Sequence, residues 1–363
     1  MAMEEFASLL SGICSRSALV PGRPLVWTII ANPKAGGFTI KSRWNKHHAI
    51  LLDYLKKAEK NPLRDPCSPS RVSLAEGNNF GLIPTKAKGH AQEITNGLVR
   101  EAASNSGERP LHLIITAGGD GTSLEVMTGL YHAPEEIRRN FVILRLPLGT
   151  GNDGADSNDL DKALDLIIEP AFLKQQRALR LKTASGKGPF LAFNILSVGA
   201  DAFVTHMTNK MKGKMPGDSY KLWVDIAALF YDLIYKVDYM DLKSLDEHGK
   251  EVKAFREKLL LLAVGESGRR SYGSHKWVLP DDRNVCAVKQ MPVFRKIIFK
   301  GKVVDGKHIS LKESMLWNAN SVEFSGLHPI LAQMDGETVL LEKGDFPAVI
   351  ELSKPEIPIL GKA

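Results

Sequence analysis

A continuous apolar segment that runs directly into a glycine cluster constrains this chain more than any other feature. Residues 111–116 have the unbroken apolar character of a strand buried on both faces. The loop Gly118-Gly119-Asp120-Gly121-Thr122 follows at once. Glycine admits positive φ and close backbone approach, so such a loop can turn amide groups toward a phosphate. The pattern predicts a buried strand that ends in a phosphate-binding loop or, at the least, in a tight turn.

The same arrangement occurs at two other places along the chain. Residues 24–31 read as a strand that ends at Asn32-Pro33-Lys34-Ala35-Gly36-Gly37, and residues 141–146 as one that ends at Pro147-Leu148-Gly149-Thr150-Gly151-Asn152-Asp153. Helical patterns over 40–60, 90–103, 122–130 and 160–168 separate or follow these strands. Strands that alternate with helices form parallel sheets, and ligands bind at the carboxyl ends of such strands. Three glycine loops at those ends predict a nucleotide or phosphate site.

Two aspartates, Asp120 and Asp153, stand inside these glycine loops, where a phosphate would be repelled. A divalent cation between carboxylate and phosphate would relieve that repulsion, and Mg²⁺ takes one or two carboxylates together with water and phosphate oxygens. The alternative is that each aspartate caps the amino terminus of a helix. Because both loops carry an acid at a comparable place, the sequence favours metal–nucleotide chemistry.

The second half of the chain has a different texture. Short apolar segments joined by Gly, Asp and Lys turns predict strands over 177–183, 190–197, 252–264, 285–289, 296–300 and 321–324. An amphipathic pattern over 217–237 predicts one inserted helix. We therefore expect an α/β nucleotide-binding domain over 1–170 and a β-sandwich substrate domain over 171–350. Residues 351–363 would form a tail that packs back on the first domain.

Composition and missing motifs exclude several classes of protein. The P-loop pattern is absent, and the acids around Gly149, Gly151 and Gly154 argue against a dinucleotide fingerprint there. Three scattered cysteines and an acidic amino terminus favour the cytoplasm. The net charge of +7 favours an anionic partner, including a membrane surface met peripherally near Lys210, Lys212 and Lys214. No nucleic acid is expected as a partner, because the basic residues lack interleaved aromatics.

The ordered set of motifs resembles the diacylglycerol kinase catalytic domain superfamily, which includes diacylglycerol, sphingosine and ceramide kinases and bacterial lipid kinases. The matching segments are Asn32-Pro33-x-x-Gly36, Thr85-x-x-x-Gly89-His90-Ala91, Gly118-Gly119-Asp120-Gly121-Thr122-x-x-Glu125, Pro147-x-Gly149-Thr150-x-Asn152-Asp153, Asn194-x-x-x-x-Gly199-Ala200-Asp201, Gly306-Lys307-His308 and Asp335-Gly336-Glu337. The resemblance spans about residues 25 to 340.

The resemblance implies an ATP- and Mg²⁺-dependent kinase that phosphorylates a lipid hydroxyl, with diacylglycerol the favoured acceptor. It assigns nucleotide binding to Asn32, Pro33, Gly36, Gly118, Gly119, Gly121, Thr122, Glu125, Gly149, Thr150 and Asn152. Asp120 and Asp153 would hold the metal. Asp335, with Glu337 beside it, would act on the acceptor hydroxyl, and Asp120 would join the catalytic set. The residues alone leave open that Asp335-Gly336 is only a hairpin turn.

Two segments depart from the family pattern. Residues 271–284 lack the glycine run of many bacterial members, which puts a second magnesium site in doubt. Gly154-Ala155-Asp156 replaces an ending that carries a basic residue. The remaining alternatives are a sphingoid-base or other lipid kinase, a soluble-substrate kinase of the NAD kinase type, and a non-catalytic nucleotide-binding regulator. A homodimer is one open arrangement.

Overall fold

The computed structural model describes residues 2–16, 25–60, 81–104, 110–149, 151–157, 159–168, 171–211, 229–272 and 276–362. The chain divides into two compact units. The first is Met1–Gln176 together with Pro355–Ala363, and the second is Arg177–Lys354. Thus the last strand of the chain belongs to the unit with which the chain begins. Within the described residues, no helix is long and apolar enough to cross a bilayer.

The first unit is built on a six-stranded sheet. With strands numbered along the whole chain, its members are β1 Leu25–Ala31, β2 Leu82–Pro84, β3 Leu111–Gly118, β4 Phe141–Pro147, β5 Ala171–Gln176 and β19 Ile357–Lys362. Their order is β2-β1-β3-β4-β19-β5. In this order, the five neighbouring strands β2, β1, β3, β4 and β19 run parallel. The edge strand β5 pairs antiparallel with β19. The predicted parallel α/β domain is confirmed.

Helices cover this sheet and bury its apolar residues. They are α1 Ala2–Cys14, α2 Gly36–Thr39, α3 Lys41–Glu59, α4 His90–Ser104, α5 Asp120–Tyr131, α6 Glu135–Arg138 and α7 Leu160–Ile168. Every residue of β3 and β4 is buried, which explains their unbroken apolar sequences. The sequence did not predict α1, whose Phe6, Leu10 and Ile13 are fully buried in the same core.

The second unit is a curled antiparallel sheet of β-sandwich type, as predicted. Its strands are β6 Leu179–Thr183, β7 Phe190–Ala192, β8 Ile195–Gly199, β9 Tyr239–Leu245, β10 Glu251–Gly265, β13 Val285–Lys289, β14 Ser314–Trp317, β15 Ser321–Ser325, β16 Ile330–Met334, β17 Glu337–Leu341 and β18 Ala348–Leu352. A separate hairpin joins β11 Arg270–Tyr272 to β12 Lys276–Leu279. The long strand β10 pairs with β9 in its first half and with β8 and β13 in its second.

Three helices of the second unit lie in the described part of the chain: α8 Ala200–Met211, α9 Tyr231–Ile234 and α10 Val293–Val304. The predicted helix over 217–237 lies largely outside the described residues, as do Lys212 and Lys214. The strand predicted over 296–300 is wrong, because that segment is the middle of α10. Its apolar residues are spaced for a helix face, but a short apolar run does not distinguish helix from strand.

Candidate active site

Three loops of the first unit follow strands that are neighbours in the sheet. The register pairs Ala31 of β1 with Ala117 of β3, and Gly118 of β3 with Pro147 of β4. The loops after the three strands therefore begin at the same level of one sheet edge. This is the carboxyl edge, where the amino termini of the following helices offer amide groups to a ligand.

The loops approach each other so closely that they require glycine. A β-carbon on Gly149 would lie 2.5 Å from the α-carbon of Gly119. A β-carbon on Gly37 would lie 3.1 Å from the carbonyl oxygen of Leu148, which accepts a hydrogen bond from the Gly37 amide at 2.9 Å. The described parts of the three glycine segments thus form one backbone surface, which we call the glycine cradle: residues 32–37, 118–122, 147–149 and 151–153.

Asn32 and Asn152 hold two of the loops of the cradle in shape. Asn32 donates its amide to Ala117, and its side-chain oxygen accepts the amide of Lys34 at 2.9 Å. Asn152 has φ of 59°, and its side-chain oxygen accepts the Gly149 amide at 2.7 Å. Short polar side chains tolerate this left-handed backbone better than most. Pro33 and Gly36 lie in the first of these loops, and Thr150 lies outside the described residues.

The amino terminus of α5 opens onto the cradle. Gly119 occupies its N-cap with no side-chain hydrogen bond, and Asp120 is already the first helical residue. Gly118 lies under Thr122, with no room for a β-carbon between them. Asp120 is not the N-cap residue of α5, and its Oδ1 reaches across to accept the Gly154 amide at 2.9 Å. No helix begins beside Asp153, because α7 starts at Leu160. The geometry therefore disfavours the capping alternative for both aspartates.

Asp120 and Asp153 converge on one glycine. A β-carbon on Gly151 would lie 2.7 Å from Asp120 Oδ2 and 3.2 Å from Asp153 Oδ2. Burial raises the pKa of Asp120 above its ordinary value, against the opposing effect of backbone hydrogen bonds and of the Arg145 charge. A nearby cation would stabilise the ionised forms of both acids. The described residues contain no cluster of three or more His, Cys, Asp or Glu fit for a metal, so this pair suits Mg²⁺ only when phosphate and water complete its shell.

Two arginines beside the cradle were missed in the sequence. Arg145 lies in β4 and is buried, and its guanidinium binds Asp156 through Nη2 at 2.6 Å and Nε at 3.1 Å. Asp156 also accepts the Arg145 amide at 2.6 Å, so it ties the end of the third loop to the strand that precedes it. Arg43 of α3 reaches the Gly149 carbonyl at 3.5 Å. The sequence signal for the Arg145–Asp156 pair was a lone Arg in the apolar run FVILRL, because a buried Arg requires a partner.

Glu125 lies one helical turn beyond the cradle and binds the start of a neighbouring helix. Its two carboxylate oxygens accept the amides of Gly89 at 2.7 Å and Ala91 at 3.0 Å. These amides belong to the amino terminus of α4, where the helix leaves donors without partners. The position of Glu125 is that of a bridge between α5 and α4, and its predicted contact with nucleotide stays a prediction.

The Asp335-Gly336 pair in the second unit forms a two-residue hairpin between β16 and β17. Its φ angles of 45° and 96° are both positive, as a type I′ turn requires. The Asp335 carboxylate accepts three consecutive amides, those of Phe193 at 2.5 Å, Asn194 at 3.1 Å and Ile195 at 2.9 Å. The hairpin reading is therefore correct, and this turn also fixes an anionic side chain. Glu337 follows as the first residue of β17.

A buried polar network contacts the Asp335-Gly336 turn, which we call the acidic hairpin. Gln333 accepts the Gly336 amide at 3.0 Å and donates to Asp201 at 3.2 Å. The Ser197 hydroxyl also donates to Asp201. Burial raises the pKa of Asp201, although the Ser197, Tyr272 and Gln333 hydrogen bonds oppose that shift. Asp201 lies in the Gly199-Ala200-Asp201 motif, which thus connects to the acidic hairpin through one glutamine.

The acids in and next to the divergent segment 271–284 are paired with arginines. Arg270 pairs with Glu266 at 2.5 Å, Arg269 with Asp282 at 2.7 Å and Arg283 with Asp281 at 2.5 Å. Each pair removes one carboxylate from the set that could hold a cation. The described residues of this segment, 271–272 and 276–284, therefore offer no support for the second magnesium site.

Comparison with known proteins confirms the resemblance. Residues 26–184 match the family model of the diacylglycerol kinase catalytic domain. A relative from Yersinia enterocolitica, named "Probable lipid kinase YegS-like", is 26% identical over 80% of this chain and 90% of its own length. A Salmonella arizonae protein, "Probable lipid kinase YegS", is 30% identical over 47% of this chain, which spans about half the length of that relative.

A solved structure shares the fold over most of the chain. It is described as a diacylglycerol kinase from Bacillus anthracis str. Sterne, and it superimposes with a TM-score of 0.53 at 16% identity. The superposition covers 93% of this chain and 97% of that one. At this level of identity the likeness establishes the architecture, and the function has to be argued from the site.

Proposed function

We propose, because residues 26–184 match the family model of the diacylglycerol kinase catalytic domain, that this chain is an ATP- and Mg²⁺-dependent lipid kinase. It transfers the γ-phosphate of ATP to a lipid hydroxyl, with diacylglycerol the favoured acceptor. The observation that carries the proposal is the pair Asp120 and Asp153, which flank Gly151 inside a cradle of backbone amides. Acid inside a phosphate cradle is typical of a metal–triphosphate site, and not of a site for a bare anion.

The residues of the cradle bind and orient the triphosphate. The amides at the start of α5 would face phosphate oxygens, and the close glycine contacts fix the loops around them before the ligand arrives. Asp120 and Asp153 would hold Mg²⁺, which when bound neutralises charge on the phosphate oxygens. Arg145 and Asp156 keep the third loop in place. Phosphoryl transfer depends mainly on positioning and electrostatics, so a rigid backbone surface suits the reaction.

The acidic hairpin supplies the group that faces the acceptor hydroxyl. Three amides hold the Asp335 carboxylate in a single orientation and stabilise its charge. A fixed carboxylate can take the proton of an alcohol as the alcohol oxygen attacks phosphorus. Glu337 lies two residues on and adds a second acid at the same end of the hairpin. The bilayer contact of the proposed reaction is peripheral, and the buried free thiols of Cys14 and Cys286 suit a cytoplasmic setting.

A panel of acceptors tests the proposal. The purified chain is incubated with labelled ATP and Mg²⁺ and with diacylglycerol in mixed micelles, a sphingoid base, a total lipid extract or NAD. We expect label in a lipid product, most in that from diacylglycerol. Asp335→Asn should lower the rate by about 10²-fold or more, within the range for loss of a general base. Label in NAD alone, or in no acceptor at all, would refute the proposal.

A further inference from the structure

The helix α10 Val293–Val304 buries Val303 but also exposes large apolar side chains on its outward face, unlike an ordinary surface helix. A typical surface helix turns its apolar face to the core and its charged face to solvent. In α10 the side chains turned outward include Phe294, Ile297 and Ile298, which are 63%, 56% and 45% exposed. By contrast Lys296 is buried. Hydrophobic burial within the unit cannot explain this arrangement.

The exposed apolar residues of α10 form a single stripe. They are Val293, Phe294, Ile297, Ile298 and Val304, and Gly301 lies among them. Because successive helical residues are about 100° apart, these positions fall within about 140° of arc. The opposite side of the helix packs on β12 and on the turn Lys307–Ser310. There the ring centroids of Phe299 and His308 are 5.6 Å apart.

The first turn of α10 is anchored to a second exposed apolar segment. Lys296 Nζ binds Asp232 at 2.6 Å and the Leu229 carbonyl at 3.2 Å. This holds the short helix α9 beside α10, and there Leu233 and Ile234 are 80% and 58% exposed. We call α10 together with residues 230–234 the apolar ridge. The ridge groups seven of the exposed large apolar side chains of the described residues and Phe230 on two neighbouring elements, whereas scattered single hydrophobics are normal on a surface.

The charged side chains of α10 itself are all basic. The twelve residues of α10 contain four basic side chains and no acidic one. Arg295 pairs with Glu313 and Lys296 with Asp232, while Lys300 and Lys302 lie on the two flanks of the apolar stripe. An apolar face bordered by lysines is the composition of helices that lie in the headgroup region of an anionic bilayer.

We infer that the apolar ridge docks this protein on an anionic lipid surface, with Phe294 and Ile297 inserted among the acyl chains and Lys300 and Lys302 at the headgroups. The inference rests on the proposed function in one respect, namely that a lipid kinase meets its acceptor at a bilayer. It assigns the membrane contact to α10, a segment different from the lysines around residue 212 that the sequence suggested.

Cosedimentation with vesicles tests this assignment. The full chain is mixed, without ATP, with vesicles of phosphatidylcholine alone or of phosphatidylcholine with phosphatidylglycerol. We expect binding that favours the anionic vesicles and weakens with salt. The double variant Phe294→Asp/Ile297→Asp should bind about tenfold more weakly or worse. Lys300→Gln/Lys302→Gln should bind anionic vesicles about fivefold more weakly per lysine, with little change on phosphatidylcholine.

The matched control is Val252→Asp, an exposed apolar residue of β10 in the same unit, which should bind like the wild type. Thermal unfolding of each variant shows whether it is folded. Equal binding of the wild type and the Phe294→Asp/Ile297→Asp variant, or no binding by the wild type, would overturn the inference. The inference would also be overturned if the Phe294→Asp/Ile297→Asp variant lost self-association but kept vesicle binding, because a second copy of the chain would then be what covers the ridge. Vesicle binding is measured without ATP and does not depend on phosphoryl transfer. The kinase proposal can therefore fail while the membrane-docking inference stands.

Discussion

At the residue scale, the chain places charge where burial makes charge expensive. Asp120 and Asp153 meet at Gly151, and Arg145 is buried with Asp156. The sequence indicated the first pair because acids among glycines are unusual. It could not indicate the second, because Arg145 and Asp156 are eleven residues apart and become partners only once the loop folds back on β4. The family pattern has a basic residue shortly after Asn152-Asp153, and this chain lacks it. The same loop instead carries Asp156, which forms a buried ion pair with Arg145.

Breaking that ion pair should destabilise the first unit. Arg145→Met leaves the Asp156 carboxylate buried without its cation, and we expect the free energy of unfolding in urea to fall by about 3–5 kcal/mol. The control is Lys162→Met, which removes the exposed partner of Asp159 in the following helix and should cost at most about 1 kcal/mol. Equal losses in the two variants would show that the Arg145 pair does not hold the loop.

At the element scale, strands were predicted well where burial on both faces leaves an unbroken apolar run. The strands β3, β4 and β13 lie where their sequences place them, and α7 begins and ends as predicted. The prediction failed at α10, since its apolar residues face solvent and its spacing over five residues fits either structure. It did not predict α1 or the strand β19, although residues 351–363 were expected to pack back on the first domain; no local pattern reveals which distant strand a terminal segment will join.

The contact between α5 and α4 gives a prediction at this scale. Glu125→Ala removes the acceptor of two helix-terminal amides, and the free energy of unfolding should fall by about 1–3 kcal/mol. Glu93→Ala, in the exposed first turn of α4, is the control and should cost less than about 1 kcal/mol. If Glu125→Ala instead lowers ATP affinity without lowering stability more than the control does, Glu125 contacts the nucleotide and is not a bridge.

At the scale of the whole molecule, each unit carries one part of the proposed chemistry. The first unit holds the glycine cradle on its parallel sheet, and β19 returns to complete that sheet beside β4. The second unit holds the acidic hairpin and the apolar ridge. The sequence predicted the cradle and the hairpin because glycine and acid motifs are local. The ridge could not be predicted, since which face of a helix meets solvent depends on the tertiary packing around it.

The account depends most directly on whether the cradle binds a triphosphate through a cation held by Asp120. Calorimetric titration of ATP into the full chain, with Mg²⁺ and with a chelator, measures this for the wild type and for Asp120→Asn. We expect the wild type to bind ATP more tightly with Mg²⁺, by about tenfold or more, and Asp120→Asn to lose most of that difference. No ATP binding by the wild type, or the same Mg²⁺ dependence in both proteins, would contradict the account.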